Sequence, residues 1–214
     1  MQKRILFQGD SITDCSRNRE DFYSVGNGYA ALVKEALNEK YPEEFECINQ
    51  GRSGERLPNL YVRMEEHIIL LKPDFLSIYT GVNDAWRESD KDYPPPSDRF
   101  ERLYRLLLDE VTTYCPNTKI MLIAPYLLEG TFTRDTLDAP TRFAHFKKCV
   151  ALKAEATKKI AKEYGFPCID LQQIFDDACE KEPTETWSVD GVHPTIKGHE
   201  LIKNAWLTTF ETMI

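Results

Sequence analysis

The sequence predicts a doubly wound α/β sandwich, a parallel sheet of five short strands with helices on both faces. Three observations carry that prediction. Short apolar runs recur along the 214 residues and are bounded by glycine, proline or polar clusters, the mark of buried strands. Stretches with apolar residues at helical spacing lie between those runs, and strands joined by helical crossovers pair in parallel with both faces covered. No repeat, low-complexity tract or linker interrupts the alternation, so residues 1–214 read as a single domain. The expected strand order is 2-1-3-4-5.

The elements follow in chain order. Ile5-Leu6-Phe7 is the first strand, and Gly9-Asp10-Ser11-Ile12-Thr13-Asp14 comes directly after it. A polar loop, Cys15 to Asn27, leads to a helix whose face is Tyr29, Leu32, Val33, Ala36 and Leu37 and which Tyr41-Pro42 stops. Phe45–Asn49 is the second strand, ended by Gln50-Gly51-Arg52-Ser53-Gly54. A helix over about Leu57–Leu71 is broken by Pro73, and Phe75–Tyr79 is the third strand. Ala85–Pro96 reads as a long irregular segment. The next helix carries Phe100, Leu103, Leu107, Val111 and Tyr114, and Ile120–Ala124 is the fourth strand. A second long segment, Pro125–Pro140, precedes a helix over about Thr141–Tyr164. Phe166–Leu171 is the fifth strand, a short helix surrounds Ile174 and Phe175, and Trp187–Pro194 is a loop. The last helix carries Leu201, Ile202, Ala205, Trp206, Thr209 and Phe210; Trp206 on it suits either the core or a contact between copies, so a homo-oligomer stays open.

Composition narrows the function. With 42% hydrophobic and 29% charged residues, the chain belongs among globular proteins. A formal net charge of -8, with bases interleaved among acids, argues against a nucleic-acid partner. No apolar stretch is long enough to span a membrane. Met1-Gln2-Lys3-Arg4 runs straight into a strand, so no signal peptide is expected and the location reads as cytoplasmic. Six cysteines without a C-x-x-C pair then read as reduced thiols. Asp10 and Asp14 do not complete a coordination set, so neither a metal nor another cofactor is expected.

In a parallel sheet the carboxyl ends of all strands share one rim, and ligands bind there. Ser11 follows the first strand, Gly54 the second and Asn83 the third, while Asp190 and His193 precede the last helix. These residue types answer one chemical need. A serine hydroxyl requires a base, and imidazole is matched to that task near neutral pH. Asp190 lies three residues before His193 and can orient its ring. Pro194 suits the first turn of a helix, which would put His193 near a positive dipole end and favour the neutral ring. The Ser11 and Gly54 N–H groups and the Asn83 amide can receive an oxyanion.

On these residues the chain resembles the SGNH hydrolases, also called GDSL esterases. The matching blocks are Gly9-Asp10-Ser11, Asn49-x-Gly51-x-x-Gly54, Gly81-x-Asn83-Asp84 and Asp190-x-x-His193-Pro194, with Ile12 where the family name has leucine. The resemblance implies a flavodoxin-like α/β/α fold and a serine esterase in which Ser11 is the nucleophile, His193 the base, Asp190 its orienter, and Ser11, Gly54 and Asn83 the oxyanion hole. Phe7–Cys15, Gly81–Trp86 and Asp190–Pro194 further resemble the bacterial acetylxylan esterases of this superfamily. That implies removal of acetyl groups from xylo-oligosaccharides or a related carbohydrate, with lipase, lysophospholipase and thioesterase activities as alternatives.

The remaining signals have plainer readings. His67, His145 and His199 read as surface or rim histidines, Arg17, Arg52 and Arg87 as solvated surface, and Cys15 as packing. The two long segments follow the third and fourth strands and should overhang the Ser11 face. They carry Trp86, Tyr93, Tyr126 and Phe132, whose flat rings suit a sugar, and Trp86, Tyr93 and Tyr126 are the expected substrate contacts. A nonenzymatic flavodoxin-like binding module is the rival class. It is disfavoured because Asp10 and Asp14 would repel a phosphate and no lysine follows the fifth strand.

Overall fold

The computed structural model describes residues 2–90 and 98–214. Its sheet has the strands β1 (Lys3–Gln8), β2 (Phe45–Asn49), β3 (Phe75–Tyr79), β4 (Lys119–Ala124) and β5 (Cys168–Asp170), all parallel, in the order β2-β1-β3-β4-β5. The expected order is the observed one. Register is set by apolar pairs such as Ile5 opposite Cys47 and Phe75, and Leu6 opposite Ile48 and Leu76. Successive residues on a strand face opposite sides, and both sides are buried. Ile5 and Phe7 join one core, while Leu6 joins the other.

Helices cover each face. On the Phe7 side lie α2 (Tyr29–Lys40), α7 (Leu171–Cys179) and α9 (Ile196–Glu211); α3 (Leu57–Val62) and α5 (Arg99–Tyr114) cover the Leu6 side. The long α6 (Arg142–Tyr164) gives Phe146 and Val150 to the first core and Ala156 and Ile160 to the second. Three short helices remain: α1 (Ser11–Asp14), α4 (Val82–Asp90) and α8 (Thr184–Trp187). No helix among the described residues is long and apolar enough to cross a membrane.

Three boundaries differ from the sequence reading. The expected helix over Leu57–Leu71 is broken: α3 ends at Val62 and a π-helical turn spans Glu65–Ile69. Leu57, Leu60, Met64 and Ile68 stay buried across the break, so their spacing could not reveal it. Residues 82–90 of the supposedly irregular segment form α4, where Val82 and Ala85 alone are fully buried in a charged stretch. The fifth strand is short because the Asp170 side chain accepts from the Gln173 N–H and starts α7.

Trp206 belongs to the core. It is fully buried, stacks on Phe210 with ring centroids 4.9 Å apart, and lies 5.3 Å from Phe7. Trp206→Ala is expected to cost about 3–5 kcal/mol, as large-to-small core changes do. Denaturant unfolding of the variant checks this; a loss below about 1 kcal/mol would contradict a core role for Trp206.

Candidate active site

The site grows from the ends of β1, β2 and β3. Gly9 ends β1 where no side chain fits: a Cβ would stand 2.7 Å from the Tyr79 carbonyl oxygen. Asp10 then starts α1, its carboxylate accepting from the Ile12 N–H at 3.0 Å. Burial pushes the Asp10 carboxyl up to about 7 against that hydrogen bond. Ser11 follows as the first residue of α1, half-buried at the rim.

Asn49, at the end of β2, ties the neighbouring loop to this turn. Its Nδ2 donates to the carbonyls of Thr13 (2.6 Å) and Val25 (2.8 Å), and its Oδ1 accepts from the Gly51 N–H (2.8 Å). Gly51 is pressed against α1, where a Cβ would lie 2.5 Å from the Asp14 nitrogen. Asp14 accepts from the Ser53 N–H at 2.9 Å. The chain then turns through Gly54 at φ +79°, a left-handed conformation that favours glycine. Asn83 stands in the first turn of α4 and donates one amide hydrogen to the Glu55 carbonyl at 3.0 Å. Beside it Asp84 accepts from the Leu57 N–H at 3.1 Å. The β2 and β3 loops are thereby joined to each other.

The last piece is the loop before α9. Ser11 Oγ lies 2.8 Å from His193 Nε2, and His193 Nδ1 lies 2.7 Å from Asp190 Oδ2. Asp190 Oδ1 accepts from the N–H groups of Val192 (2.8 Å) and His193 (2.7 Å). Ser188 adds a third tie, donating to the His193 carbonyl at 2.8 Å and accepting from the Gly191 N–H at 3.0 Å. Burial pushes the Asp190 carboxyl up, but the His193 ring and the two N–H groups outweigh it and hold the carboxyl below its usual range. The same hydrogen bond raises His193 above the ordinary 6.5, against burial, which lowers it. A hydroxyl, an imidazole and a carboxylate in series can draw a proton from the hydroxyl and stabilise the imidazolium that results. Ser11 and His193 open onto a cavity of about 490 Å³ also lined by Asp14, Cys15, Ser16, Arg17, Arg19 and Ser53. Among the described residues, no group of three His, Cys, Asp or Glu could hold a metal ion.

Several expectations are corrected. Tyr126 is not at the surface: it is fully buried, stacks on Phe175 at 4.0 Å, and donates to the Val192 carbonyl at 2.8 Å. Its segment braces the His193 loop from behind rather than overhanging the site, with Leu128 N–H donating to Gly191 O (2.9 Å) and Phe132 N–H to Asp190 O (3.0 Å). Trp86 is half-buried against Phe132 and Phe146 and is not among the described residues that line the Ser11 cavity. Tyr93 lies outside the described residues. Pro194 is not in a helix, because α9 begins at Ile196 with Thr195 as its cap; Asp190, not a helix end, dominates the His193 ring. Arg17 is buried and donates to the Gly51 carbonyl at 3.0 Å.

His199 is also buried. Its Nδ1 accepts from the Tyr29 N–H at 3.1 Å, supplying the cap that Gly28 lacks, and its Nε2 faces Cys15 Sγ at 3.5 Å. Burial lowers its pKa to about 4, so the ring is neutral. The supporting roles of Asn49, Ser188, Asp84 and His199 were not read from the sequence. Of these, Asn49 and Asp84 lay within quoted motifs, whereas Ser188 and His199 act through contacts that no local pattern announces.

A family profile, the GDSL-like Lipase/Acylhydrolase family, matches residues 7–201. The chain is 32% identical to an acetylxylan esterase of Geobacillus stearothermophilus over 217 aligned residues, covering 96% of this chain and 92% of that protein. A crystal structure of the Geobacillus stearothermophilus acetylxylan esterase superposes with a TM-score of 0.83 at 31% identity, over 97% of this chain and 93% of the other. An alpha/beta hydrolase enzyme from the metagenome of Lake Arreo superposes with a TM-score of 0.82 at 26% identity, over 97% and 94%. Two other solved Geobacillus structures are described as catalytic mutants, one with a serine and one with an aspartate replaced by alanine. With its parallel sheet, its rim serine and a profile match over most of its length, the chain belongs to the GDSL-like lipase/acylhydrolase family and is a carboxylic ester hydrolase.

Proposed function

We propose that residues 1–214 form one hydrolase domain that cleaves acetyl esters of carbohydrates, such as xylo-oligosaccharides, through an acyl-enzyme on Ser11. The observation that carries the mechanism is the unbroken series Ser11–His193–Asp190, with both links at hydrogen-bond distance. His193 Nε2 takes the hydroxyl proton as Ser11 Oγ bonds to the ester carbonyl carbon. The imidazolium then returns that proton to the leaving alcohol, and water repeats the sequence to release acetate. Asp190 holds the ring by Nδ1. The N–H groups of Ser11 and Gly54 and the free amide hydrogen of Asn83 receive the oxyanion. None of these steps calls for a metal or an organic cofactor.

The cavity supports the choice of substrate. Among the described residues its lining includes no Leu, Ile, Val, Met, Phe, Tyr or Trp, so a long acyl chain gains little by entering, whereas hydroxyl-rich alcohols find charged and polar partners. Similarity to the Geobacillus acetylxylan esterase supports the same reading.

Four measurements test it. Ser11→Ala is expected to lower kcat by about 10³-fold or more, and full activity in the purified variant would overturn the assignment. Asn83→Ala is expected to cost about 10²–10³ in kcat with a smaller change in KM; a pure KM effect would make it a ground-state contact. Asp190→Asn should cost less than Ser11→Ala and should also move the pH profile. The carboxylate favours the imidazolium and so holds the proton on His193 to higher pH. Losing it should shift the acid limb of kcat/KM downward, and an unmoved limb would contradict this. Acetyl esters should be cleaved with far higher kcat/KM than octanoyl esters, and the reverse order would favour a lipase or thioesterase.

A further inference from the structure

The Ser11 cavity shares two walls, Arg17 and Arg19, with a second cavity of about 310 Å³ that is also lined by Gln50, Arg52 and His67 and by the carboxylates Glu20 and Glu66. In a chain of net charge -8, three guanidinium groups, Arg17, Arg19 and Arg52, gather here against two carboxylates. Two neighbouring carboxylates are engaged by other arginines: Asp14 holds Arg19 and Glu55 holds Arg63, each at 2.6 Å. The cavity's own carboxylates, Glu20 and Glu66, are exposed, and Glu66 stands 3.9 Å from His67 Nε2. Among the described residues, Arg17 and Arg52 have no carboxylate partner. Arg17 donates through Nε to the Gly51 carbonyl. Arg52 donates through one terminal nitrogen to His67 Nε2 at 3.0 Å, and its buried Nε has no partner.

His67 is committed to aiming Arg52 rather than to adding charge. Its Nδ1–H donates to Gln50 Oε1 at 3.0 Å, which leaves Nε2 as an acceptor. Burial, then Arg52 and Arg63, lowers its pKa. Burial also lowers that of Arg17, with Arg19 and Arg52 adding to the effect and Asp14 opposing it. Guanidinium groups held together with unsatisfied N–H donors are a costly arrangement in the absence of an anion. The planar fork of donors matches a carboxylate in two-point contact.

We propose that this second cavity is a subsite for a carboxylate on the alcohol side of the ester, so that the preferred substrate is an acetylated oligosaccharide carrying a uronic acid, gripped by Arg17 and Arg52. The acetyl group is too small to reach beyond the Ser11 cavity, so whatever enters the second cavity belongs to the alcohol. This inference rests on the reading of Ser11 as the nucleophile.

The experiment compares kcat/KM for an acetylated xylo-oligosaccharide with that for the same compound bearing a glucuronic acid branch. The wild-type protein should favour the acidic ester by about tenfold, the worth of a charge-assisted contact, and the preference should shrink in roughly 0.5 M salt. Arg52→Gln should bring the ratio near one, and Arg52→Lys should restore part of it. A wild-type ratio near one, or an unchanged ratio in a well-folded Arg52→Gln protein, would overturn the subsite; if Arg52→Gln does not fold, the salt series and Arg52→Lys decide. Hydrolysis of a small aryl acetate separates the two readings: if it is absent, the esterase mechanism fails, while calorimetric titration with glucuronate still judges the subsite. Inorganic phosphate competing more strongly than glucuronate would replace the carboxylate assignment with a phosphate one.

Discussion

The carboxylate of Asp190 is the interaction on which the site depends. One oxygen gathers the N–H groups of Val192 and His193, and the other holds the His193 ring. A single side chain therefore fixes the loop backbone and the direction of the imidazole together. A carboxylate that accepts several N–H bonds stays ionised, and an ionised acceptor strengthens each of those bonds. The loop geometry and its electrostatics support each other.

That loop has little secondary structure of its own, so its shape is imposed from outside. Gly191 sits at φ +91°, where a Cβ would meet the Thr133 hydroxyl and the Leu128 carbonyl. Gly130 packs equally close to Asp190. The segment after β4 adds strand-like hydrogen bonds to residues 189–191, and Tyr126 reaches through the core to Val192. On the opposite side of the site, Asn49 does comparable work for the turn that carries Ser11. Each half is braced by groups from another strand end, so the Ser11–His193 distance is a property of the whole rim.

The residue types that line the cavity follow from the same economy of packing. Two aromatic rings near the rim are drawn inward, Tyr126 onto Phe175 and Trp86 onto Phe146, because burial of a large ring yields more than its exposure; Phe22, Tyr23 and Phe132 stay exposed. Serines, Asp14 and arginines are left to line the cavity.

The five strands, the helices α2, α5, α6 and α9, the parallel order of the sheet and the positions of Ser11, Asn83, Asp190 and His193 on one rim were legible in the chain, whereas α4 and the break after α3 were not. The legible features depend on local periodicity, on glycine placement and on the rule that strand ends share an edge. Asn49, Gly51 and Gly54 were visible as a motif through the resemblance to the SGNH hydrolases. Only the tertiary structure decided that Tyr126 faces the core, that His199 caps α2 from α9, that Arg17 turns inward to Gly51, and that Arg52 is left beside it without a carboxylate partner among the described residues. The direction of a side chain on an irregular segment is set by partners distant in sequence, and buried donors and acceptors must find one another in three dimensions. Periodicity reports which face of a regular element is apolar; it carries no information about which distant carbonyl or carboxylate a loop residue will meet.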